Sequence, residues 1–293
     1  MFNDVIPLNV GVSTYMPSTF FPGLEDYPLN NEIDDLQAFH IGLEFDHYQQ
    51  TLLSNDKHKQ WFRDRGIPIT DELIKRFKIG FADNSFGKKV TREHGRKAEF
   101  FRGNMQRSGL YKDTGRPFFH GDVVFPFFND EEKLVGAYGR RVTPENRASR
   151  LYHRQWDIGD TLFFNQRILK SSKQVIYCKT PVEALNLICA GFDNVIATMG
   201  VYNFSEKHFQ KLVESDMTEV VLAFDNSDQG NHVCGVIAQC LNAEGIFCSR
   251  LPLPKNHDVN QYAQRYGDKK SSLSELVKSK FPFSQSYENL IGR

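Results

Sequence analysis

Beyond about residue 170 the apolar positions settle into short β-rich runs that alternate with stretches of helical period. QVIYC (174–178), NVIATMG (194–200), EVVLAFD (219–225) and IFCSRLPLP (246–254) read as strands. Between them PVEALNLICAG (181–191), SEKHFQKLVES (205–215) and GNHVCGVIAQCLNAEG (230–245) read as helices, and HDVNQYAQRYG (257–267) as a short last one. Pro181 opens the first helix and Gly191 closes it. Ser205 starts the second with a capping box in which His208 stands where Glu or Gln is usual. Strict strand–helix alternation predicts a parallel sheet with helices on both faces. The loops 178–183, 197–203, 224–230 and 254–260 then share the carboxyl edge of the strands, where such sheets bind ligands.

Upstream the pattern is mixed. Helical spacing runs from Phe45 to Phe62, and Ile67-Pro68-Ile69 breaks it. Thr70 is placed to cap a helix whose apolar face holds Leu73, Ile74 and Phe77. DVVFPFFND and KLVGAYGRRV predict an antiparallel hairpin closed by the acidic turn Asn129-Asp130-Glu131-Glu132. The expected organisation is an irregular N-terminal extension (1–45), a basic α+β subdomain (46–170), a parallel-sheet domain (171–270) and a polar C-terminal tail (271–293), with α/β as the overall class.

The chain of 293 residues has a formal net charge of zero, a total that hides local clusters and neither supports nor excludes a nucleic-acid partner. No apolar run approaches the ~20 residues that span a bilayer, and the N-terminus lacks the basic and apolar regions of a signal peptide. A cytoplasmic protein without a membrane partner is expected. The five cysteines form no C-x-x-C pair and read as small buried hydrophobes. The nine histidines show no Cys/His spacing suited to zinc, so no zinc site is expected.

Two stretches are basic. Lys88, Lys89, Arg92, Arg96, Lys97, Arg102 and Arg107 are opposed by Glu93 and Glu99 and interleaved with Phe100 and Phe101. Arg140, Arg141, Arg147, Arg150 and Arg154 lie beside Tyr152, His153 and Trp156. Cations that neutralise phosphates, next to rings on which bases stack, suit single-stranded nucleic acid, although either stretch alone also fits a solvated face over core aromatics. On the predicted strand-end loops stand four acids: Glu183, Asp225, Asp228 and Asp258. Converging carboxylates can hold a hard cation together with phosphate oxygens. Turn preference and helix-dipole stabilisation explain the same residues without a metal.

The runs CKTPVEALNLICAGFDNVIATMG, AFDNSDQGN and LPLPKNHDVNQYAQ resemble the Toprim (topoisomerase–primase) domain of bacterial DnaG-type primases. Upstream, QWFRDRGIPITDELIKRFKIGFA and RSGLYKDTGRPFFHGDVVFPFFNDEEKLVGAYGRRV resemble the opening helix, Arg-Gly-Ile turn and Gly-x-x-Gly-Arg strand of the primase core. Together these motifs cover about residues 46–265 in the family's order. The resemblance implies phosphoryl transfer with Mg²⁺ or Mn²⁺ held by Asp225, Asp228, Asp258 and Glu183, and a phosphate contact at Arg140.

Each acidic pair departs from the family pattern. Lys179 stands in place of the leading Glu, with Thr180 in place of Gly; Ser227 and Asn260 replace the second acids after Asp225 and Asp258. Asp228 can substitute for Ser227 only if the turn slips by one residue. An ammonium in place of a carboxylate repels Mg²⁺ and attracts phosphate. The favoured expectation is therefore a primase-derived protein with a weakened or inactive centre that binds single-stranded or primer–template nucleic acid. It would work within a larger DNA-processing assembly, with a protein partner supplying template selection. The alternatives are an active primase making short RNA primers on single-stranded DNA with a divalent metal, and a Toprim-type nuclease.

Overall fold

The computed structural model describes residues 35–83, 85–87, 95–142, 153–159, 162–266 and 268–283. The N-terminal domain opens with helix α1 (Asp35–Ser54), which starts ten residues inside the expected irregular extension. Its buried stripe is Gln37, Ile41, Glu44, Phe45, Tyr48 and Leu52. Two of these six positions are polar, which breaks the apolar period expected of a buried helix face. Asn55 ends α1 and caps α2 (Asp56–Asp64), accepting a hydrogen bond from the Lys57 amide at 3.1 Å. Thr70 caps α3 (Asp71–Phe77) as expected, accepting from the Leu73 amide at 3.3 Å. Helix α4 (Arg96–Arg107) packs on α1.

Strands β1 (Gly80–Ala82), β2 (Asp122–Phe128), β3 (Leu134–Arg141) and β4 (His153–Asp157) form an antiparallel sheet in that order. The expected hairpin is β2–β3. Gly139 of the Gly-x-x-Gly-Arg strand has a packing reason: a Cβ there would lie 2.5 Å from the fully buried Phe119 ring.

The second sheet has the order β6-β5-β7-β8-β9. Strands β5 (Gln174–Cys178), β6 (Val195–Ala197), β7 (Glu219–Leu222) and β8 (Phe247–Arg250) are parallel, and β9 (Phe281–Pro282) is antiparallel to β8. The connecting helices are α5 (Pro181–Cys189), α6 (Glu206–Glu214), α7 (Asp228–Ala243) and α8 (Val259–Gln264). Along β5 and β7 the side chains alternate. Ile176, Cys178 and Val221 join one core with α5 and α8; Val175, Tyr177, Val220 and Leu222 join another with α6 and α7. The chain runs from β5 out to β6 and then back past β5 to β7. The reversal puts the loops after β5 and β7 side by side, the place where an open parallel sheet leaves a crevice.

The segment expected as a polar tail differs in the structure. Lys269–Lys278 is helix α9, capped by Asp268, and it buries Leu273 and Leu276 in the core shared with α5 and α8. Its buried apolar residues are only two among ten and three apart, so the segment reads as polar although it is anchored. The domains also share a core: Phe62, Ile67, Ile74, Phe77, Phe125 and Phe127 pack in the same cluster as Val182, Leu185 and Val221. Asp130 of the acidic turn reaches the second domain, accepting from Lys211 and from Gln166 at 2.9 Å. Among the described residues no helix is long and apolar enough to cross a membrane. Cys178, Cys234 and Cys248 are buried, Cys189 and Cys240 half-buried, and all five are free thiols.

Candidate functional site

The loops after β5 and β7 bring Lys179 and Asp225 into direct contact, with Lys179 Nζ donating to Asp225 Oδ1 at 2.7 Å. The same ammonium lies 3.5 Å from Glu183 Oε1, one helical turn on. Glu183 is 3% exposed, and its Oε2 is buried with no hydrogen-bond partner among the described residues. Burial pushes the Glu183 carboxyl up to about 8 against the pull of Lys179, and Asp258 and Asp225 push the same way. For Asp225 burial also acts upward, but the hydrogen bonds from Lys179 and Ser227 prevail and hold its carboxyl below the usual range. Burial disfavours a charged Lys179, yet Glu183 and Asp225 more than offset it, so the ammonium keeps its proton.

Ser227, not Asp228, sits against Asp225: its hydroxyl donates to Asp225 Oδ2 at 2.5 Å while accepting from the Gly230 amide at 3.1 Å as the cap of α7. Asp228 is exposed on the first turn of α7, where its charge favours the helix dipole. Asp258 caps α8, accepting from the Gln261 amide at 2.7 Å, and it is close enough to act on the charge of both Lys179 and Glu183. Asn260 turns away from the acids and donates to the Arg65 carbonyl at 3.0 Å, tying α8 to the N-terminal domain. The loops after β7 and β8 are locked together by Asn226, whose amide donates to His257 O (3.2 Å) and whose carbonyl accepts from Asn256 N (2.7 Å).

Gly230 lets α7 begin directly beneath Asp225, since a Cβ there would be 2.2 Å from the Asp225 carbonyl oxygen. The obstacle is backbone and cannot rotate away. Gly230→Ala is therefore expected to cost about 1–3 kcal/mol and to loosen the Lys179–Asp225 contact. Urea unfolding reads the first effect; the Lys179 side-chain nitrogen resonance by NMR reads the second. An unchanged midpoint would mean that the turn relaxes freely.

Beside the acids, β3 and β4 pair Arg140 with His153. The Arg140 guanidinium donates to the His153 ring (2.8 Å to Nδ1), and the Tyr138 hydroxyl contacts the same nitrogen. Burial, then the charges of Arg140 and Lys179, bring His153 down to about 4, so the ring is neutral and serves as an acceptor. Arg65 feels the charge of Arg140 and lies over the Trp61 ring, 4.0 Å from its centroid. Neither Arg65 nor Arg140 has a carboxylate at ion-pair distance among the described residues. Arg65 falls within the Arg-Gly-Ile turn, where no sequence pattern marks it as functional, and the Arg140–His153 pairing depends on strand register that no local pattern encodes.

The other basic residues separate into three groups. Arg141 and Arg154 are ion-paired with buried Asp122, at 3.0 and 2.9 Å, instead of standing clear of acids as Arg140 does. Arg96 and Lys97 are exposed on the first turn of α4, with Arg102 half-buried further along. Lys88, Lys89, Arg92, Arg147 and Arg150 lie outside the described residues.

The Mg²⁺ or Mn²⁺ implied by the resemblance does not fit this side-chain arrangement. Lys179 Nζ is bonded where a cation would meet Asp225 and Glu183. Among the described residues no three His, Cys, Asp or Glu side chains are grouped to hold a metal ion.

Comparison with known proteins agrees with this architecture. Residues 47–154 match the DNA primase catalytic core, N-terminal domain family, and residues 176–263 match the Toprim-like family. A DNA primase of Aquifex aeolicus is 23% identical over 256 residues, which is 84% of this chain and 49% of that protein. The chain thus spans about half the length of that relative. The solved zinc-binding and RNA polymerase domains of the Aquifex aeolicus primase superpose with a TM-score of 0.71 at 20% identity, over 90% of this chain and 66% of the other. A DnaG primase catalytic domain bound to ssDNA gives a TM-score of 0.67 at 17% identity, over 84% and 79%. With a primase-core N-terminal domain leading into a Toprim-like domain, in the family's order and fold, this chain belongs to the DnaG-type primase catalytic cores.

Proposed function

We propose that this chain binds single-stranded nucleic acid along the crevice beside β3 and the loops after β5 and β7, and that its metal-dependent phosphoryl transfer is weak or absent. The observation that carries this reading is the Lys179 ammonium bonded to Asp225 at 2.7 Å and facing Glu183 at 3.5 Å. Carboxylates engaged by an ammonium are poor ligands for the ions that would stabilise charge on a transferring phosphoryl group. Arg140 and Arg65, without carboxylate partners among the described residues, support phosphate binding. Arg96, Lys97 and Arg102 on α4, and the basic sequence positions Lys88, Lys89, Arg92, Arg147 and Arg150, supply further cations for phosphate in this reading. A protein partner that supplies template selection completes it.

Two measurements test the proposal. Fluorescence anisotropy with a labelled single-stranded oligonucleotide should show affinity falling with salt. The combined variant Arg140→Ala, Arg147→Ala, Arg150→Ala should bind more weakly, with a salt slope shallower by about 0.7 for each phosphate no longer neutralised. Incubation with single-stranded template, labelled ribonucleotides and Mg²⁺ or Mn²⁺ should yield no template-dependent oligomers. Products that vanish in Asp225→Ala would establish an active primase instead.

A further inference from the structure

We infer that Lys179 is a resident cation that stands in for a divalent ion in the acidic centre, so that the centre is neutralised and the crevice holds phosphate without metal. The inference rests on the reading of this crevice as a nucleic-acid site, and it goes further by specifying that the site is independent of divalent ions.

A carboxylate that holds one divalent cation presents a single net positive charge; so does an ammonium. Exchanging a metal-loaded acid for lysine thus leaves the field in the crevice nearly unchanged while removing the need for an ion from solution. The geometry agrees with that exchange. Lys179 precedes α5 and Glu183 lies in its first turn, so the side chain reaches back over the buried carboxyl. Asp225 approaches from the neighbouring strand end and is fixed on its other oxygen by Ser227. An ammonium carries three donors. Asp225 takes one and Glu183 faces another, which leaves the third for a ligand. The Lys179 side chain is 20% exposed, so that donor can meet a phosphate oxygen arriving along the Arg140 side of the crevice.

The departures at Ser227 and Asn260 fit the same substitution. With lysine in place of the ion, the second acid of each pair has no metal to ligate. Ser227 instead donates to Asp225, and Asn260 ties α8 to Arg65. Lysine also differs from a bound ion in being tethered. It cannot be chelated, and its charge does not vary with the supply of free metal.

The test uses the whole chain. Thermal unfolding of the wild type in EDTA and in MnCl₂ at equal ionic strength should give midpoints within about 1 °C of each other, because a ligand stabilises only by binding the native state. Lys179→Glu should melt lower than the wild type in EDTA and gain at least about 4 °C with Mn²⁺. Lys179→Gln removes the ammonium without adding an acid; it covers the case in which the glutamate variant fails to fold, and it should also gain a Mn²⁺ response. In anisotropy with an oligothymidylate, wild-type affinity should agree within about twofold between EDTA and MgCl₂ at matched ionic strength, and Lys179→Gln should bind at least about fivefold more weakly in EDTA. A wild-type melting shift with Mn²⁺ as large as that of the variants, or oligonucleotide binding abolished by EDTA, overturns the inference. Absence of oligonucleotide binding in both buffers counts against the functional reading alone, and the melting experiment still decides whether lysine has replaced the ion.

Discussion

Asp122→Ala is expected to lower folding stability by about 3 kcal/mol. The Asp122 side chain is 1% exposed, accepts from Arg141 Nε and an Arg154 guanidinium nitrogen, and also accepts from the His120 amide at 3.2 Å. Burial holds its carboxyl above the usual range even with Arg154 and Arg141 beside it. The charge itself is therefore held at a cost, and the destabilisation on mutation comes mainly from the groups left behind. Two guanidinium groups lose their carboxylate (Arg154 keeps the Phe118 carbonyl at 2.6 Å), a backbone amide loses its acceptor, and a cavity opens where β1, β2 and β3 meet. Because the Arg141 and Arg154 side chains are 18% and 20% exposed, water recovers part of that loss, which places the value at the lower end for a broken buried pair. Asp122→Asn keeps the shape and should lose about half as much. Urea unfolding at constant m-value measures both. A loss below about 1 kcal/mol would mean that the arginines find other partners. On this account, alanine at Arg141 or Arg154 lowers stability and leaves the salt slope of oligonucleotide binding unchanged, whereas Arg140→Ala lowers the slope.

The parallel-sheet domain was legible because its signals are local. Pro181, Gly191, Ser205 with His208, and the two-residue alternation of Val175–Cys178 each fix an element within a few residues, and strand–helix alternation then dictates a parallel sheet. That Lys179, Glu183 and Asp225 lie together was legible for the same reason, since residues that end neighbouring parallel strands share one edge. The start of α1 was hidden by buried Gln37 and Glu44, and α9 by its sparse apolar content. Partner choice was less legible still. Arg140, Arg141 and Arg154 look alike in a basic stretch, yet strand register gives Arg140 a neutral histidine and the other two a buried carboxylate. Nothing within the stretch encodes Asp122, which lies eighteen residues before Arg140. In the same way, whether Asp228 replaces the missing second acid was a question of one residue's slip. It turns on Ser227 capping α7 and bonding Asp225 at once.

The stability of Glu44→Gln relative to the wild type should rise as pH climbs from about 4.5 to about 7. Glu44 is 0% exposed inside the face of α1, where the Tyr111 hydroxyl donates to Oε2 at 2.9 Å and Oε1 has no hydrogen-bond partner among the described residues. Burial pushes its carboxyl up to about 7; the tyrosine hydrogen bonds oppose this without cancelling it. A folded-state value above the unfolded one means that the native protein holds the proton more tightly. The associated stability is complete below about 4.5, where both states are protonated, and it is lost as pH climbs through the folded value. The loss amounts to about 2–3 kcal/mol between pH 5 and pH 8. Glutamine mimics the protonated acid, so the variant's lead over the wild type should grow by that amount between pH 5 and pH 8. Glu183 acts in the same sense, with its window reaching about 8, while Asp225, held below the usual range, acts in the opposite sense and only in acid. Urea unfolding at pH 5, 6, 7 and 8 separates these contributions, since the Glu44 part is complete near pH 7 and the Glu183 part continues beyond it. Parallel curves for wild type and Glu44→Gln across that range would show that α1 admits water to the buried carboxylate.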